Sequence, residues 1–301
     1  GLGSAPRAQN AAAAQIRRMN MDKNEIKQLK ITAYEMRKKV LRMCDAHQAG
    51  HLGGAFSCID MVAALYFHTM NVNPQDPKMA DRDRFVLSKG HTTPGYYSVL
   101  AERGYFPRED LPTFRHTGSY LQGHPDKKHI PGVDMSSGSL GQGISAAVGM
   151  ALGARISGDS FRVYTLLGDG EIQEGQVWEA AMFAGAKKLD NLTVIVDNNN
   201  LQIDGKITEV NSPYPIDKKF EAFNFHVINV KDGNDFDQLD AAFKEAKTAD
   251  KPVAIIMKTV KGKGVSFMEN QAGWHGKAPN DEQYAQAMSE LEAAKKQIEE
   301  G

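Results

Sequence analysis

Between residues 24 and 43 the apolar side chains Ile26, Leu29, Ala33, Met36, Val40 and Met43 recur at alternating steps of three and four. That is the period of one helical face, and Gly50 predicts the stop. The same pattern predicts helices over residues 58–67, 144–156 and 176–186, and an amphipathic, charged helix over 281–300. Short runs rich in apolar and β-branched residues predict strands at 84–87, 161–167, 192–196, 226–230 and 253–259. Strands alternating with helices imply an α/β fold: a doubly wound, mostly parallel sheet with helices on both faces. No internal repeat or long low-complexity linker divides residues 21–301, which are expected to form one domain. Gly1-Leu2-Gly3-Ser4-Ala5-Pro6 and the Ala-rich run behind it are expected to be a tag, a linker or a disordered N-terminus, so residues 1–20 carry no functional reading.

Charge narrows the function classes. Lys and Arg total 36 against 37 Asp and Glu, a net charge of -1, so no basic excess points to nucleic acid or to an anionic membrane. No apolar stretch reaches the length of a membrane span, and the first twenty residues lack the apolar core of a secretory signal. A cytoplasmic protein with small-molecule chemistry is expected. The two cysteines, Cys44 and Cys58, fall in apolar helical segments, which suits reduced core thiols.

The chemistry gathers at strand ends. The run 161–167 leads into Gly168-Asp169-Gly170, and the next strand leads into Asp197-Asn198-Asn199-Asn200, with Asn199 thirty positions after Asp169. Ligands of open α/β sheets bind outside the carboxyl ends of strands, where loops diverge and helix N-termini favour phosphates. A hard cation such as Mg²⁺ takes oxygen ligands shared between protein and phosphate. Asp169 can supply charge, Asn199 a neutral carbonyl, and Leu201 a main-chain carbonyl. Gly-Asp-Gly alone is also an ordinary strand-ending turn; its pairing with Asn199 across a strand-helix-strand unit is what carries the reading.

At this point the sequence resembles the transketolase family. The likeness runs from residue 24 to about 280 and includes Gly50-His51-Leu52-Gly53-Gly54, Leu87-Ser88-Lys89-Gly90-His91, Gly123-His124-Pro125, the run from Ser137 to Gly143, and Gln173-Glu174-Gly175. Leu52 and Ser139 stand where the family often has proline. The resemblance implies a thiamine diphosphate-binding domain over residues 21–301, with Asp169, Asn199 and the Leu201 carbonyl as ligands of Mg²⁺, or of Ca²⁺ or Mn²⁺. Gly168 and Gly170 would lie along the diphosphate, and Gly138 and Leu140 would meet the aminopyrimidine through main-chain atoms. His51, His91, His124 and His275 would surround the thiazolium and the sugar hydroxyls, with His91 on the cofactor side. Glu174 and Glu179 would join a carboxylate network between the two sites of a dimer, since neighbouring carboxylates share protons rather than both ionise.

The glutamate, aromatic pocket and sugar-phosphate arginines of the family belong to its other half. The chain is therefore expected to be the N-terminal subunit of a split transketolase, working on sugar phosphates with a C-terminal transketolase subunit in a dimer of heterodimers; a truncation of a longer chain is the other reading. Deoxyxylulose-phosphate synthase, a 2-oxo acid dehydrogenase component and a non-catalytic cofactor-binding module are the alternatives; His51, His124 and His275 together favour ketol transfer. The glycines from 138 to 143 do not form a dinucleotide or P-loop motif, and neither Cys44 with His47 nor His124 with His129 completes a four-ligand zinc set. His47, His68, His116, His129 and His226 read as structural. Residues 261–264, Lys-Gly-Lys-Gly, read as a small basic loop, solvated or near the diphosphate.

Overall fold

A computed structural model describes residues 21–301. The expected tag or linker over 1–20 lies outside the described residues. In chain order the first elements are α1 (Lys23–Ala46), α2 (Leu52–Ala64), β1 (Arg84–Leu87), α3 (Thr93–Arg103), α4 (Gln142–Ser157), β2 (Val163–Gly168) and α5 (Gly175–Ala186). Then follow β3 (Leu192–Asn198), the short strands β4 (Leu201–Gln202) and β5 (Gly205–Lys206), α6 (Ile207–Val210) and α7 (Ile216–Ala222). β6 (His226–Val230), α8 (Phe236–Thr248), β7 (Val253–Lys258) and α9 (Asp281–Glu300) complete the chain.

Five strands form one parallel sheet in the order β1-β2-β3-β7-β6, and β4 with β5 makes a small antiparallel hairpin. Side chains of a strand point alternately to opposite faces. Phe85 and Leu87, Tyr164 and Leu166, and Ile195 accordingly enter one apolar cluster with α1, α2, α3 and α8. Val86, Val163, Leu167, Val194 and Val196 enter another with α4, α5 and α7. Both faces are covered, as the near-continuous apolar strands require. The expected α/β class and helix-covered parallel sheet are the observed ones.

The stripe from Ile26 to Met43 is buried throughout, and Asp22 caps α1 by accepting from the Glu25 N–H at 2.8 Å. The second helix corrects its expected start: α2 begins at Leu52, not at residue 58, and runs on through a π-helical turn, Leu65–Thr69. Gly53 and Gly54 serve close packing inside this helix. A Cβ on Gly53 would lie 2.8 Å from the Trp274 carbonyl oxygen, and one on Gly54 2.9 Å from Thr92 Cγ2. Cys44 and Cys58 are buried free thiols, pushed up by burial to about 12 and about 11. Among the described residues no helix is long and apolar enough to cross a membrane.

Candidate active site

Adjacent strand exits build a polar floor. Asp169 follows β2 directly and is 2% exposed. Its Oδ1 accepts from the Gly170 N–H at 2.9 Å, and its Oδ2 accepts from the Asn200 N–H, so the loop after β3 wraps this carboxylate. Asn199 Oδ1 accepts from the Leu201 N–H at 3.1 Å. Gly170 faces the hairpin, where an added Cβ would lie 3.2 Å from Gln202 Cβ. The expected trio Asp169, Asn199 and Leu201 is thus brought together.

Burial, followed by the neighbouring Asp197 carboxylate, raises the Asp169 carboxyl to about 7. Among the described residues its hydrogen bonds come only from main-chain N–H groups, and the side-chain Oδ1 of that same Asn200 is buried without a partner. A buried carboxylate whose charge the nearby Lys261 only partly offsets, beside the Asn199 amide oxygen and the Leu201 carbonyl, is a donor set that fits a hard divalent cation. No three His, Cys, Asp or Glu side chains cluster as a metal site among the described residues. A cation here would rest on mixed oxygen donors.

Beneath this floor lies a buried ion pair without an expected role. Lys89 donates to Asp197 Oδ2 and, at 3.0 Å, to the Gly54 carbonyl. Asp197 also accepts from Ser57 Oγ at 2.6 Å and from Thr259 Oγ1. Four elements are tied to one carboxylate, whose pKa Lys89 holds below the usual range despite burial. Of the two readings of its loop, solvated or near the diphosphate, Lys261 excludes the first for its own side chain. It is buried, donates to the Leu201 carbonyl at 3.3 Å and to His275 Nδ1 at 2.8 Å, and is depressed to about 8 by burial and by Lys89.

Three of the four selected histidines form a cluster. The rings of His51 and His91 are 4.9 Å apart, His91 and His275 5.2 Å, and His51 and His275 5.5 Å, measured between centroids. His124 reaches the same wall through Gly138, where an added Cβ would lie 3.3 Å from its Cδ2. Burial lowers all four; Arg115 adds to the effect at His51 and His124, and Lys261 at His275. His51 falls to about 4 and His275 to about 3, so both rings are neutral at neutral pH. The Lys261 donation fixes Nδ1 of His275 as an acceptor, which leaves the proton on Nε2.

The loop carrying Gly138 and Leu140 lies between this wall and the floor. Ser137 Oγ donates to the Leu87 carbonyl at 2.6 Å, and a Cβ on Gly90 would meet Gly138 N at 2.9 Å. Glu174 and Glu179 do not join the histidines. Both are exposed, Glu174 packed against Gly141 at the start of α5 and Glu179 one turn before Met182 and Phe183. These two apolar side chains are 58% and 41% exposed, and Leu140 is 40% exposed. A carboxylate that sequence reasoning passed over, Glu171, is 3% exposed and accepts from Ser88 Oγ and from the N–H groups of Gly141 and Gly168. Its only signal in the sequence is its place two residues after Asp169.

Parallel strand exits with an oxygen-rich floor and a wall of imidazoles define an α/β protein with a polar crevice at the carboxyl end of its sheet. Residues 28–298 match the thiamine diphosphate-binding domain of transketolase, and the chain belongs to that family. It is 45% identical over 258 residues to the 6-deoxy-6-sulfo-D-fructose transketolase subunit of a Clostridium species, covering 85% of this chain and 94% of that one. An apulose-4-phosphate transketolase subunit from Phocaeicola vulgatus is 40% identical over 268 residues, covering 89% of this chain and 95% of that one. The Campylobacter jejuni transketolase structure superimposes with a TM-score of 0.83 at 31% identity, covering 93% of this chain and 46% of that one. The chain therefore spans nearly all of these shorter relatives and about half of the full-length enzyme.

Proposed function

We propose that the chain is the cofactor-binding subunit of a transketolase that moves a two-carbon ketol unit from a ketose phosphate to an aldose phosphate. The observation that carries this reading is the wall of neutral histidines, His51, His91 and His275, set beside the Asp169 floor. Thiamine diphosphate, when bound, supplies the electron sink for the two-carbon unit. The chain's own residues do the rest. Asp169, Asn199 and the Leu201 carbonyl would hold Mg²⁺, and Gly168 and Gly170 would lie along the diphosphate. Main-chain atoms of Gly138 and Leu140 orient the aminopyrimidine.

His51, His124 and His275 bind sugar hydroxyls and carry protons to and from them, a task that needs an uncharged ring able to accept. His91, deepest of the four, faces the cofactor. Glu174 and Glu179, exposed with Met182 and Phe183, lie on the face through which two copies associate. The groups that activate the cofactor and grip sugar phosphate come from a second polypeptide, in keeping with the relatives of similar length that are themselves subunits.

The test is reconstitution. The purified chain with thiamine diphosphate and Mg²⁺ has no measurable ketol transfer and gains it when a matching C-terminal-half polypeptide is added, because tighter cofactor binding cannot replace missing transition-state contacts. Robust turnover by the chain alone, shown free of partner by mass spectrometry, would refute the divided site. Calorimetry with and without chelator checks the metal: equal cofactor affinity in both would sink the assignment of Asp169 and Asn199.

A further inference from the structure

Glu171 sits in a 3-10 turn, Glu171–Gln173, immediately behind the polar floor. Its three donors belong to three different segments. Ser88 follows β1, Gly168 closes β2, and Gly141 is the N-cap of α4, a left-handed residue at φ 81°. Ser88 and the start of α4 are also in tight steric contact, since a Cβ on Gly143 would lie 2.6 Å from Ser88 Cα. One buried carboxylate thus joins the exits of two neighbouring strands to the start of the helix that crosses between them.

The loop before α4 has two anchors. Ser137 is bound to the Leu87 carbonyl, and Gly141 is bound to Glu171. Between them lie only residues 138–140, of which Ser139 and Leu140 are exposed. A three-residue span held at both ends has little conformational freedom left to lose on meeting a ligand. Burial works against the Glu171 charge, and the Ser88 hydroxyl and the two main-chain N–H groups favour it.

We infer that Glu171 is a positioning residue: it clamps Gly141 so that the main chain of residues 138–140 is preset for the cofactor. This rests on the thiamine diphosphate reading above. A glutamine at the site keeps the shape and loses an acceptor, so its NH₂ group must face at least one of the three donors.

Two measurements on Glu171→Gln test the clamp. Amide hydrogen exchange on the full, cofactor-free chain is expected to quicken at Gly141, Gly168 and residues 138–140 while β2, β3 and the rest of α4 keep wild-type protection. In the complex with the C-terminal-half polypeptide and Mg²⁺, thiamine diphosphate affinity is expected to fall about tenfold, with kcat at saturating cofactor within about threefold of wild type, as lost preorganisation would give. Unchanged affinity, with or without faster exchange, overturns the inference, and so does exchange that quickens evenly across the sheet. Should the variant fail to fold, exchange of the wild type decides: Gly141 and Gly168 amides as fast as those of Ser139 and Leu140 overturn the clamp, and slow ones support it. If the wild-type complex itself does not bind thiamine diphosphate, the proposed function falls, while the exchange data still judge the clamp.

Discussion

The floor and the histidine wall of one crevice solve opposite problems. Beneath the floor, Lys89, Asp197, Ser57 and Thr259 satisfy one another away from water, and each bond fixes one element relative to the next. The wall is built from rings in edge-to-face and tilted contact, whose side-chain nitrogens mostly lack protein partners among the described residues and are only partly shielded from solvent. A buried charge must be paired because an unpaired one costs several kcal/mol. A neutral imidazole can stand at a boundary with open hydrogen-bonding capacity, ready for a substrate that supplies its own. Permanent polar bonds hold geometry; unfilled ones hold function.

Four experiments would break or sharpen that contrast. Asp169→Ala should abolish metal-dependent cofactor binding while circular dichroism stays that of the wild type, since the residue lies in a loop at a strand end. Normal cofactor affinity in this variant would show that another group carries the cation. Next come His51→Ala, His124→Ala and His275→Ala. Each should keep near-normal thiamine diphosphate affinity, while the reconstituted complex loses about 10²–10⁴-fold in turnover where the ring transfers a proton, and less where it only binds. Variants that lose cofactor affinity but turn over normally once saturated would make these rings cofactor ligands.

Lys89→Met removes the cation beneath the floor and leaves Asp197 buried without its counter-charge. Breaking such a pair costs about 3–5 kcal/mol, read as a lower urea midpoint at unchanged slope. A loss below about 1 kcal/mol, the usual worth of an exposed pair, would mean that water reaches this site. The smallest effect concerns pH. His51 titrates near 4 in the folded chain against an ordinary 6.5, so between those values the unfolded chain binds the proton and the folded one does not. Stability present above pH 6.5 is therefore lost as pH falls towards 4. His51→Gln should flatten that decline by less than about 1 kcal/mol per pH unit, since the partly exposed ring is screened by solvent. Parallel declines in urea titrations of both proteins at about pH 7, 6 and 5 would place the His51 ring in water.

How much was legible beforehand follows from what each signal depends on. Period-two and period-three-to-four patterns report burial, so β1, β6 and the α1 stripe read correctly from one sequence. α3 escaped because Thr93-Pro94-Gly95 looks like a turn, whereas Pro94 opens the helix and Gly95 lets it approach Ala55, 3.2 Å from where its own Cβ would be. α8 carried a readable signal in Asp235, which caps it by accepting from the Gln238 N–H, ahead of the buried Phe236, Leu239 and Phe243. In the site, Asp169, Asn199 and the histidines were visible through the family motifs. Asp197 and Glu171 were not, because their partners lie far along the chain: Lys89 is 108 residues from Asp197 and Ser88 is 83 from Glu171. Local patterns carry no information about pairings of that range.

The absent side chains of Gly53 and Gly54 bear on how such a site can diverge. Each position lies within contact distance of a fixed neighbour, the Trp274 carbonyl and Lys261 in one case and Thr92 in the other. Every possible replacement at a glycine adds at least one carbon, so both positions close off routes of single-step change. Adaptation of this crevice to a different ligand is channelled instead towards its exposed rim, at His124 and Ser139, where a new side chain meets solvent before it meets the scaffold.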